Sequence, residues 1–254
     1  MSRTSSDQPF LEIARQPISF GEDWTTGIGG GLWSTGAALA HYLASPHAAE
    51  QVQKLVVASA LRSENGEPAG VTCLELGSGN GLLAVCWMAL LQSVLPVPTT
   101  DLPTVVVTDM ADHLPLMQRT LDANPHIVQQ SAAGWQVHVT EHVWGQLDKT
   151  EMDACLCDKT FDVILGSDVA YRPALYAPLI ASLQQFSNAR TTILLGCTMA
   201  DTTPRFFDML QEAGFVYERL AEQLLPVGFR GTIFGIFLVR QQARPTGDLA
   251  RYDT

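Results

Sequence analysis

Short apolar runs alternate along the chain with longer segments of helical spacing. Residues 71–76 form an apolar run of strand length that passes through Glu75 and ends in Gly77-Ser78-Gly79-Asn80-Gly81. Residues 82–91 continue as an apolar stretch with helical character. Further strands are predicted at 104–108, closed by Asp109, and at 135–140, 161–167 and 191–197. Helices are predicted at 34–43, with Ser34 as N-cap, and at 51–61, 114–124, 175–186 and 205–213, the last capped by Gly214. A short hairpin is predicted at 11–20. A closing hairpin is predicted from 215–220 and 232–240, with Pro226 and Gly228 between its arms. Residues 62–70 read as a polar loop and 95–103, with three prolines, as another.

Five strands alternating with helices, followed by a hairpin, predict an α/β fold: one Rossmann-like domain over residues 1–254 with a mostly parallel sheet. Residues 1–10 and 241–254 are expected to be tails, and 11–70 an N-terminal cap packed on the sheet. In such sheets a ligand lies beyond the carboxyl ends of the strands, near the switch point beside the first. Gly77, Asp109, Trp144 and Asp168 all fall at or just past strand ends. The glycine turn suits close backbone approach to a ligand. A dinucleotide fits less well, because G-x-G-x-x-G requires glycine where Leu82 stands. Glu75, just before the first glycine, suits a ligand that carries a cation, such as S-adenosyl-L-methionine. Trp33, before the helix at 34–43, reads equally as a ligand contact or as core.

Composition narrows the partners. The 254 residues are 46% hydrophobic, enough for one large core, and the net charge is −11. That charge argues against nucleic acid or an anionic membrane surface. No apolar run has the length of a bilayer span. Cys73, Cys86, Cys155, Cys157 and Cys197 lack zinc-ligand spacing, and a reduced cytoplasmic protein without a structural metal is expected. A monomer is the default expectation.

The chain resembles the family 16 methyltransferases, seven-strand S-adenosylmethionine enzymes that mostly modify lysines of non-histone proteins. The matching pieces are Gly31-Leu32-Trp33 before a helix, Leu74 through Gly81, Thr108-Asp109, Asn124, Trp144-Gly145 and Phe161 through Tyr171. The resemblance runs from Gly31 to Phe215, and the Trp33 element with Asp168-x-x-Tyr171 narrows it to this group. It implies strand order 3-2-1-4-5-7-6, with the last strand antiparallel. It implies that Glu75, Gly77 and Gly79 border the methionine part of the cofactor, with Ser78, Asn80, Gly81 and Ser167 in the same cofactor site. It further implies that Asp109 takes the ribose hydroxyls, that Trp144 lies against adenine and that Trp33 lines the pocket. By the same resemblance Asp168 and Tyr171 are expected to face the target amine. A protein substrate follows, with chaperones, translation factors and AAA ATPases as the kinds of target that relatives modify, and a nuclear as well as a cytoplasmic location fits these. The chain departs from many relatives after the fifth strand, where Thr198-Met199-Ala200-Asp201 replaces an arginine or lysine, and in the length of the 95–103 loop.

Asp168 is expected to capture and orient the ammonium, since an ionised carboxylate raises a neighbouring amine's pKa and so does not remove its proton. Its alternative role is to cap the segment that follows it. The residues leave open a small amine, an N-terminal amine or a histidine ring as acceptor, and a silent module that keeps the fold as an interaction surface.

Overall fold

The computed structural model describes residues 9–60, 70–95, 102–129, 134–231 and 233–242. The expected loop at 62–70 lies outside the described residues except for Gly70, and so do residues 96–101 of the proline loop and nearly all of both tails. Strands β1 (Leu11–Ile13) and β2 (Gln16–Ile18) form the expected hairpin, turning through Ala14 and Arg15 at positive φ. Seven more strands build one sheet: β3 (Thr72–Leu76), β4 (Thr104–Asp109), β5 (Gln136–Glu141), β6 (Val163–Ser167), β7 (Thr192–Thr198), β8 (Phe215–Arg219) and β9 (Phe234–Gln241). Their order is β5-β4-β3-β6-β7-β9-β8. Counted from β3 this is 3-2-1-4-5-7-6, and β9 runs antiparallel to its neighbours β7 and β8.

The central strands are covered on both faces, which is why they read as continuous apolar runs. Alternation along β3 splits its side chains between two cores. Cys73 faces the layer of α1 (Ser34–Leu43), α2 (Pro46–Ala60) and α3 (Leu82–Val94). Leu74 and Leu76 face the layer of α6 (Tyr176–Phe186) and α7 (Pro204–Glu212). Every residue of α3 from Leu82 to Leu91 is buried, because sheet, neighbouring helices and the β1–β2 hairpin surround it.

After β4 come α4 (Leu114–Asp122) and a single turn, α5 (Pro125–Val128). Asn124 between them pins the hairpin to the body: its Oδ1 accepts the Ser19 N–H at 3.0 Å and its Nδ2 donates to the carbonyls of Ser19 and Thr120, both at 2.7 Å. Two helix starts differ from expectation. Helix α2 begins at Pro46, not residue 51, since proline suits the first helical position and Ser45 Oγ accepts the Ala48 N–H. Ser34 is already inside α1, and the cap position is Trp33, whose side chain makes no capping bond. Among the described residues no helix is long and apolar enough to cross a membrane.

Candidate active site

The carboxyl ends of the parallel strands open into a cleft of about 640 Å³. Gly77, Ser78, Gly79 and Asn80 line it after β3, Asp109 at the end of β4, Trp144 beyond β5, and Ser167, Asp168 and Tyr171 from β6 and its following loop. Trp33 completes the rim at the start of α1, with 47% of its surface exposed.

The glycine turn is built for close approach. Gly77 and Gly79 have φ of 63° and 61°. A Cβ on Gly77 would lie 2.7 Å from the Trp144 ring, and one on Gly79 would lie 2.4 Å from the Gly29 carbonyl oxygen. Residues 23–31 therefore cross the turn at backbone contact. This strap is held by Asp23, which receives Arg119 at 3.0 Å, and by Trp33 Nε1, which donates to the Ile28 carbonyl at 2.6 Å. From below, Asp109 fixes the turn: its Oδ2 accepts the Gly79 N–H and its Oδ1 the Met110 N–H, both at 2.7 Å.

Across the cleft, Asp168 is a non-glycine residue at φ 54°, a conformation that aspartate tolerates better than most. Its N–H donates to the Gly196 carbonyl at 2.9 Å. Its Oδ2 accepts the Thr35 N–H at 3.2 Å and its Oδ1 the Thr198 hydroxyl at 2.7 Å. The carboxylate thus caps α1, a helix that precedes it by more than a hundred residues, and sits at the positive end of that helix. Each oxygen keeps a further lone pair for a ligand.

A family model described as lysine methyltransferase matches residues 13–213. The chain belongs to the lysine methyltransferase family. Over 207 residues this methyltransferase is 26% identical to the protein N-lysine methyltransferase METTL21A of Mus musculus, covering 79% of this chain and 76% of that protein. Over 149 residues it is 27% identical to the protein-lysine N-methyltransferase EFM6 of Saccharomyces cerevisiae, covering 58% and 53%. Among solved structures, the glycopeptide N-methyltransferase MtfA complexed with S-adenosyl-L-methionine aligns at TM-score 0.47 and 13% identity, over 75% of this chain and 94% of that one.

The methyltransferase uses S-adenosylmethionine as methyl donor, and its cleft fits that group. Asn80 is 4% exposed; its Oδ1 accepts the Leu82 N–H at 3.1 Å, while its buried Nδ2 has no partner among the described residues. A buried donor without an acceptor is costly unless a ligand supplies one. Asn80 lines the cleft at the head of α3, where a carboxylate is favoured.

Two predicted site residues of the methyltransferase stand apart from the cleft. Glu75 is 2% exposed, and its Oε2 accepts the Ala84 N–H at 3.0 Å. Alternation along β3 turns it toward α3, beneath the turn, and it is not among the residues that line the cleft. Burial pushes its carboxyl up to about 8, which keeps it largely protonated at neutral pH. Gly81 serves packing: at φ 81° it heads α3, and a Cβ there would lie 3.2 Å from the Met117 Cα.

Several cleft features of the methyltransferase escaped sequence reasoning. Thr198 anchors Asp168, and its only signal was the departure from relatives after the fifth strand. His142 lines the cleft beside Trp144 with Nε2 2.9 Å from Ser182 Oγ. Burial pushes its imidazole down to about 4, so it is neutral at physiological pH. His113 lies under the strap, where a Cβ on Gly29 would meet its Nε2 at 2.6 Å. Neither histidine sits in a pattern that sequence alone would single out.

Proposed function

We propose that this chain methylates a lysine on the surface of a folded non-histone protein, with Asp168 and Tyr171 receiving the target amine. The observation that carries the reading is the position of Asp168. Its carboxylate lines the same cleft as the glycine turn and is immobilised by Thr35 and Thr198 with acceptor capacity to spare.

Bound S-adenosylmethionine supplies an activated methyl group on a sulfonium. The residues suited to hold it are Asp109 for the ribose hydroxyls, Trp144 for the adenine face, and the Gly77–Asn80 turn with Ser167 for the methionine end. Trp33 and the strap at 23–31 exclude water from that end. The protein's remaining task is alignment. A free lysine has a pKa near ~10.4, so presenting it neutral at pH 7 costs roughly 4–5 kcal/mol. Asp168 orients the ammonium by charge-assisted hydrogen bonding without taking its proton. The Tyr171 phenol, which can both donate and accept, aims the nitrogen once the proton has left to solvent.

The test is incubation of the protein with labelled S-adenosylmethionine and a cell extract, followed by separation of proteins from small molecules and mapping of modified residues by mass spectrometry. Label on lysines in the protein fraction, lost in Asp168→Asn, is the expected result. Label confined to small molecules, to histidine rings or to N-terminal amines would overturn the reading.

A further inference from the structure

Arg172 is the one lysine or arginine among the described residues that line the cleft. It follows Tyr171 directly, and its Cζ lies 5.3 Å from the centroid of the Tyr171 ring. The side chain is exposed, and no carboxylate or carbonyl of the described residues accepts a hydrogen bond or ion pair from it. Of the other described arginines, Arg15, Arg190 and Arg240 are exposed but do not line the cleft, and four are held by partners. Arg119 pairs with Asp23, Arg205 with Glu212, and Arg219 with Glu222, while Arg230 donates to the Leu225 carbonyl.

The root of Arg172 is fixed. Asp168 holds its loop at positive φ, and Val169 and Ala170 are buried. The Ala170 carbonyl accepts the Thr202 hydroxyl at 2.9 Å, and Pro173 holds Arg172 in extended backbone at φ −136° and ψ 129°. A guanidinium resting against an aromatic ring keeps its in-plane N–H edge free for an acceptor. Such an edge matches a carboxylate in two parallel bonds.

A free cation at the mouth of a site that must admit an ammonium opposes the approach of that ammonium. Asp201 also lines the cleft but makes no ion pair with Arg172. The repulsion is offset when the target brings its own carboxylate. Resting on the lysine-methylation reading above, we infer that Arg172 is a specificity residue. It binds an aspartate or glutamate beside the target lysine, so the preferred substrate surface is a lysine with an acidic neighbour.

The experiment compares wild type, Arg172→Lys and Arg172→Glu on extract proteins with labelled S-adenosylmethionine, maps the modified lysines, and measures S-adenosylhomocysteine binding by calorimetry. Wild-type sites are expected to carry an acidic residue next to the lysine. Arg172→Glu should lower kcat/KM at those sites at least tenfold and Arg172→Lys less, with S-adenosylhomocysteine affinity changed less than twofold. Replacing the substrate's acidic neighbour with lysine should restore transfer by Arg172→Glu. Equal rates for wild type and Arg172→Glu at the same lysines would overturn this inference alone. A parallel fall in S-adenosylhomocysteine affinity would overturn it too, by assigning Arg172 to the cofactor. If wild type labels no lysine at all, the functional reading beneath it falls first.

Discussion

The carboxylate of Asp168 accepts the backbone N–H of Thr35 across 3.2 Å, joining the loop after β6 to the first turn of α1. One side chain therefore serves as helix cap and as acceptor at the cleft, and two substitutions separate the roles. Asp168→Asn keeps an acceptor oxygen and tolerates the left-handed backbone. It should melt within a few degrees of wild type, bind S-adenosylhomocysteine as wild type does, and lose methyl transfer by about a hundredfold or more, consistent with loss of a charge-assisted contact to the reacting amine. Asp168→Ala should lose transfer and, in addition, about 1 kcal/mol of stability with the cap. Denaturant titration alongside a filter-binding transfer assay distinguishes them. Equal transfer by Asp168→Asn and wild type would remove the carboxylate from the reaction.

The unpartnered Asn80 amide gives a sharper test of the cofactor site. Asn80→Asp retains the oxygen that accepts the Leu82 N–H, and aspartate is a good residue at a helix start. It deletes the buried donor and adds negative charge where the cofactor's carboxylate is expected. S-adenosylhomocysteine affinity should fall by at least about tenfold, or 1.4 kcal/mol. Unchanged affinity would show that the amide faces no ligand carboxylate.

Glu75 makes the fold sensitive to alkali. Its folded pKa is raised from 4.5 to about 8. The native state then holds a proton that the unfolded chain has released, so this contribution is complete below the unfolded value and is lost as pH rises through the folded one. At 1.36 kcal/mol per unit, up to about 5 kcal/mol disappears between those pH values. Glu75→Gln keeps an acceptor for the Ala84 N–H and cannot ionise. Its stability relative to wild type should rise steadily from pH 5 to pH 8.5 in denaturant titrations. A constant difference across that range would mean that Glu75 does not titrate on folding.

Two glycines of the same backbone type make a matched pair. Gly79 has φ 61° and would place a Cβ 2.4 Å from the Gly29 carbonyl oxygen, whereas Gly214 has φ 87° and nothing within 4 Å. Gly214→Ala should cost about 1 kcal/mol, the backbone strain alone. Gly79→Ala should cost roughly 3 kcal/mol or more, because the strap at 23–31 must move off the turn. It should also weaken S-adenosylhomocysteine binding, which calorimetry would detect. Similar costs at the two positions would mean that the strap yields freely.

Much of this protein was legible in its sequence because the signals are local. The order of strands and helices follows from runs of apolar residues and their spacing, and Gly77, Asp109, Trp144 and Asp168 fall at strand ends in any parallel α/β sheet. The family motif at residues 161–171 narrowed the chemistry. Other features depend on neighbours distant along the chain. That Glu75 turns away from the cleft was set by the alternation of β3 against α3. That Gly81 serves packing was set by the approach of Met117. Asp168 became the cap of α1, in place of the expected Ser34, only when β6 and β7 brought it and Thr198 beside Thr35. Periodicity reports which residues belong to one element. Which face a side chain presents, and which carboxylate finds a donor, is decided by the elements packed against it, and that is information the tertiary fold alone contains.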